Sequence, residues 1–84
     1  VALAMFTRAR LLEETNLRSA ALAYAEVGVH PHAGALAEDA LAREAEAWAR
    51  LADERRARAR AQSYLQRYPG GAHAERMRAL AVRP

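Results

Sequence analysis

Cysteine is absent from the chain, which excludes disulfides and every metal site built on thiolate ligands. That absence suits a reducing cytoplasm, but exported proteins can lack cysteine too. Lysine is also missing, so all 13 cations are arginine, most simply through codon bias in a GC-rich genome. No apolar run approaches the ~20 residues that a membrane span requires. The opening run Val1-Ala2-Leu3-Ala4-Met5-Phe6 has no charged leader region and no clear cleavage site, and Arg8 and Arg10 interrupt it. It therefore reads as helix interior and not as a signal peptide. The expectation is a piece of a longer polypeptide, with any targeting segment or anchor elsewhere.

Reactive groups are equally sparse. Ser19 and Ser63 are the only serines, and neither has a neighbouring histidine or an elbow motif, so nucleophilic catalysis is not expected. Six of the ten acids form adjacent pairs, Glu13-Glu14, Glu38-Asp39 and Asp53-Glu54. Neighbours on a helix point in different directions, which is poor geometry for acid–base work. His30-Pro31-His32, with His73 in the corresponding later loop, is the one hint of a metal. A histidine pair spanning a proline in a loop, with no carboxylate or cysteine to complete a tetrahedron, reads as solvated histidines. No enzyme, cofactor or metal is expected.

What remains is helix. The 84 residues suffice for one domain, 1–84, and 52% of them are apolar, many of them alanine. Alanine is the best helix former and contributes little buried area. Such a composition favours helix backbones in close approach over a roomy interior. Charge is unevenly spread within a net +3: residues 13–54 carry nine acids and three arginines, locally −6, whereas residues 55–84 carry eight arginines and Glu75, locally +7. That asymmetry signals a basic binding surface or two halves that attract each other.

Periodicity predicts five helices and no strand. The first covers residues 2–14, with Ala2, Met5, Phe6, Ala9 and Leu12 on one face. Thr15-Asn16 supplies a turn and a cap, and the second helix covers 17–27 along Leu17, Ala20, Ala21, Tyr24 and Val27. Gly28 and Pro31 stop it. The third covers 35–51 with Leu41, Ala45, Trp48 and Ala52 in one stripe. Asp53 caps the fourth, 54–68, whose stripe is Ala57, Ala61, Tyr64, Leu65 and Tyr68. After Pro69-Gly70-Gly71 a short fifth helix at 72–82 aligns Ala74, Met77, Leu80 and Ala81.

A shift of 37 residues superposes the first hairpin on the second: Asn16 falls on Asp53, Arg18 on Arg55, Ala20 on Ala57, Gly34-Ala35 on Gly71-Ala72, and Ala37-Glu38 on Ala74-Glu75. Helix pairs of about 34–37 residues, with a small residue early in the second helix and a proline after it, resemble tetratricopeptide repeats. The resemblance runs over residues 11–81. The second repeat is the better match, with Leu41, Ala45 and Trp48 on its first helix, Ala52-Asp53 at the turn, and then Ala57, Ala61, Tyr64 and Pro69. The run Tyr64-Leu65-Gln66-Arg67-Tyr68-Pro69-Gly70-Gly71, followed by Ala74-Glu75, is similar to bacterial envelope members. These include the periplasmic Tol-Pal coordinator and outer-membrane-assembly lipoproteins. Related repeats also occur in bacterial signalling and anti-sigma proteins. The chain departs from the pattern at the usual turn glycine, which is Thr15 in one copy and Ala52 in the other. It departs again at Ala61, where an aromatic is usual, and at Tyr64, where a small residue is usual.

The resemblance implies an all-α scaffold of two repeats plus a capping helix. It implies a module that binds a protein or peptide partner, in the periplasm or cell envelope, with a cytoplasmic setting as the alternative. It further implies that the first helix of each pair lines a concave groove. Asp39, Arg43, Glu46 and Arg50 share one stripe of such a helix and are the candidate partner-binding residues, in two acid-before-base pairs four residues apart. Arg55, Arg56, Arg58, Arg60 and Arg67 make the fourth helix basic, a surface that could meet phosphates. No aromatic lies among them to stack on a base, so nucleic acid is the weaker reading. The first helix carries Met5, Phe6, Leu11 and Leu12, more apolar surface than one face needs. It is expected to touch a further helix or a second copy of the chain.

Overall fold

Asn16 and Asp53, superposed by the 37-residue shift, do the same job at the starts of two helices. The Asn16 side chain accepts from Ser19 N at 3.0 Å and the Asp53 side chain accepts from Arg56 N at 3.1 Å. Each satisfies one of the backbone donors that a helix start leaves without an intrahelical partner. The two helix starts are thus capped in the same way.

The computed structural model describes residues 1–82 and contains five helices: α1 Ala2–Thr15, α2 Leu17–Gly28, α3 Ala35–Arg50, α4 Glu54–Arg67 and α5 Ala74–Ala81. No strand occurs among the described residues. The architecture is all-α, as the periodicity predicts. The ends of α1 to α4 fall within one residue of the sequence reading, but α5 starts at Ala74 instead of residue 72, because residues 70–73 form turns.

Each helix packs on the next in sequence, and α1 also touches α3, as α3 touches α5. The odd-numbered helices therefore lie side by side in one layer, with α2 and α4 behind them. The interior is built on alanine: 13 of the 21 buried apolar residues among those described are alanine. Small side chains let backbones approach, and a few large residues fill what is left. Phe6 and Tyr24 meet edge-on at 5.7 Å between α1 and α2. Trp48 packs with Ala21 and Ala57 where α2, α3 and α4 converge. Leu41, Tyr64, Met77 and Leu80 join α3, α4 and α5. On α1, Phe6 is buried and Met5 and Leu12 are half-buried, whereas Leu3 and Leu11 stand 62% and 64% exposed.

The two superposed glycines are required for different reasons. Gly34, before α3, has φ +57 and ψ −130, which glycine alone tolerates without strain. Gly71 sits against the Tyr64 hydroxyl and the Glu38 carboxylate, so that a Cβ there would collide with both and press tightly on the Tyr68 Cβ.

Ala52 belongs to the Trp48 stripe by spacing, yet it is exposed and adopts φ +60. The Asp53 N–H reaches the Trp48 carbonyl at 2.9 Å and the Ala52 N–H reaches the Ala49 carbonyl at 3.0 Å. That is a Schellman helix end with alanine in the left-handed position that glycine usually holds. A left-handed L-residue costs roughly 1–2 kcal/mol, part of which glycine returns through its freer unfolded chain. Ala52→Gly is expected to stabilise the domain by about 0.5–1 kcal/mol, read as a raised midpoint of urea unfolding with an unchanged slope.

Candidate functional site

The α3 stripe Asp39, Arg43, Glu46 and Arg50 faces α1 and α5, and only one of its two expected internal pairs forms. Arg43 Nε donates to Asp39 Oδ2 at 3.1 Å, four residues away on the same helix. Glu46 instead receives Arg76 Nε of α5 at 3.2 Å, and Arg50 reaches Glu13 of α1 at 3.4 Å. Arg43 also lies 3.6 Å from Glu13 and places its guanidinium 5.7 Å from the Phe6 ring centroid. The stripe thus clips three helices together instead of closing on itself.

Glu13 is the junction. Its carboxylate accepts a short hydrogen bond from the buried Tyr24 hydroxyl while facing Arg43 and Arg50 on the other side. His73, at the start of α5, holds Asp39 Oδ1 through Nε2 at 3.0 Å and contacts the Arg76 guanidinium through Nδ1. Its backbone N–H donates to the Tyr64 hydroxyl at 2.9 Å, and that hydroxyl donates in turn to Glu38 at 2.7 Å. Glu38 also accepts from Ala72 N at 3.1 Å, which ties the α4–α5 turn to the start of α3.

These side chains border an open groove of about 420 Å³ between α1, α3 and α5. Glu13, Arg43, Glu46, Arg50 and Arg76 form its charged walls. Ala47, Ala49, Ala79 and Leu80 form its apolar part. Three of the four residues chosen from the sequence line it; Asp39 stands behind the wall as a partner of Arg43 and His73. Glu13 and Arg76 join them from α1 and α5. Glu13 has no local cue, because the tyrosine that needs it as an acceptor, Tyr24, lies on α2. Arg76 has none either, because its pairing with Glu46 depends on how α5 docks.

The α4 arginines do not form one solvated stripe. Arg60 Nε donates to the buried Glu44 at 3.1 Å, and Glu44 also accepts from the Trp48 indole N–H at 3.0 Å. Arg56 binds the capping Asp53 at 2.6 Å and lies 5.0 Å from the Trp48 ring centroid. Arg67 reaches the Gly28 carbonyl at 3.4 Å and lies over Tyr68. Arg55 is exposed and Arg58 half-buried. His30 and His32 remain in the α2–α3 loop, where the His32 N–H donates to His30 Nδ1 at 3.1 Å. No three His, Asp or Glu side chains converge as metal ligands among the described residues. None of the helices described is long and apolar enough to cross a membrane. No protein-family model, curated protein or solved structure matches the chain.

Burial, then the hydrogen bond and charge of Glu13, push the Tyr24 phenol well above its ordinary 10.0. Burial, then Glu38, raise Tyr64 in the same direction. A raised folded-state value means that the folded chain holds its proton more tightly than the unfolded chain does. The associated stability is complete below the unfolded value, near pH 10, and is lost as pH rises beyond it. Tyr24→Phe is expected to cost about 1 kcal/mol at pH 7 through the lost hydrogen bond and to flatten the fall in thermal midpoint above pH 10. Melting curves recorded from pH 7 to 11.5 check both parts.

Proposed function

We propose that this chain is a protein-interaction module whose groove between α1, α3 and α5 receives a segment of a partner protein. The observation that carries the reading is the groove itself: charged walls contributed by three helices around a patch of alanine and Leu80. Small residues leave room for another chain's side chains, and half-exposed ion pairs give it orientation and register. Shared capping at Asn16 and Asp53 supports the tetratricopeptide-like reading of the hairpins. The run from Tyr64 to Gly71, through its resemblance, supports a scaffold role in a bacterial envelope or signalling protein.

Ala79 is exposed and lines the groove, so Ala79→Trp fills it without entering the core. Proteins retained by the immobilised chain are expected to be released by Ala79→Trp and kept by Arg55→Ala on α4. Retention that survives Ala79→Trp would place the binding surface elsewhere.

A second reading rests on Leu3 and Leu11, two exposed leucines on one side of α1 with Thr7 between them. Pairing of α1 with α1 of a second copy would cover both. Light scattering across a concentration series is then expected to show a rising mass that Leu11→Glu abolishes. A constant monomer mass rejects this reading.

A further inference from the structure

Granting the groove as the binding surface, we propose that it selects an acidic partner segment, one Asp or Glu side chain beside an apolar residue, through Arg50. The argument starts from how unequally the wall charges are committed. Arg43 is held by Asp39 at 3.1 Å, by Glu13 at 3.6 Å and over the Phe6 ring. Arg76 is held by Glu46 and contacts His73. Among the described residues Arg50 pairs only with Glu13, at 3.4 Å, and its side chain is 58% exposed. A pair so exposed contributes little net stability.

Releasing it is also cheap for Glu13, which keeps the Tyr24 hydroxyl and Arg43 when Arg50 turns away. Arg50 is therefore the wall charge that can change partners without stranding another. Its guanidinium matches a carboxylate in a two-pronged arrangement. The same saturation works against a cationic ligand, because the Glu13 carboxylate already meets three donors. Three arginines face two glutamates around the opening, which favours a negative visitor further. Ala47, Ala49, Ala79 and Leu80 offer the neighbouring apolar side chain an apolar surface. Acid and apolar contact thus go together in one short segment.

An array of randomised octapeptides, acetylated and amidated so that only side chains carry charge, tests the assignment. Bound sequences are expected to be enriched in Asp or Glu adjacent to Leu, Ile, Phe or Tyr and depleted in Lys and Arg. Arg50→Glu, its fold checked by circular dichroism, should lower the signal of the acidic set at least tenfold, and Arg50→Lys, which keeps the charge but loses the two-pronged match, should lower it by less. A bound set with no acidic enrichment, or one unmoved by Arg50→Glu, overturns the choice of ligand while the groove stands. Binding that ignores Ala79→Trp, or an array with no bound sequence, overturns the groove reading and this inference with it.

Discussion

Three aromatic side chains sit deep in an interior otherwise made mostly of alanine, and each carries a polar tip that must be met there. Tyr24 donates to Glu13, Trp48 to Glu44 and Tyr64 to Glu38. A buried donor left without an acceptor costs roughly 1–3 kcal/mol, a large share of the stability of so small a domain. The three glutamates are therefore structural before they are anything else. Each then hands its remaining capacity outward. Glu13 meets Arg43 and Arg50, Glu44 meets Arg60, and Glu38 meets the backbone of the α4–α5 turn. The surface charges are arranged around needs that arise in the core.

This ordering explains why the two candidate surfaces differ. On α4, Arg56, Arg60 and Arg67 place their guanidiniums over the Trp48 ring, on the buried Glu44 and over the Tyr68 ring. Arginine serves here through its guanidinium, stacked on a ring or paired with an acid. Between α1, α3 and α5 the pairs span helices and leave an opening, so the same residue type there borders accessible space.

The helices were legible because periodicity is a local property. Stripes such as Ala20, Ala21, Tyr24 and Val27 point to one face whatever lies opposite, and all four are buried. Capping was legible for the same reason, since Asn16 and Asp53 act three residues ahead. Pairings across helices were not legible. Glu46 satisfies the spacing rule with Arg50, but docking of α5 presents Arg76, and α1 presents Glu13 to Arg50. Nor does spacing separate the two glycines: Gly34 answers to its own backbone angles and Gly71 to Tyr64 and Glu38, brought up by folding. Glu44 was hidden likewise, a charged letter one helical turn before Trp48 that the fold takes inside.

The position of Glu13 has an optical consequence. Its carboxylate belongs at once to the solvent-facing opening and to the hydroxyl of a ring that solvent does not reach. Whatever alters the sharing of that negative charge outside alters the hydrogen bond inside, and the near-ultraviolet absorption of a phenol follows its hydrogen bonding. Tyr24 is thus a native chromophore wired through Glu13 to the arginines that border the opening.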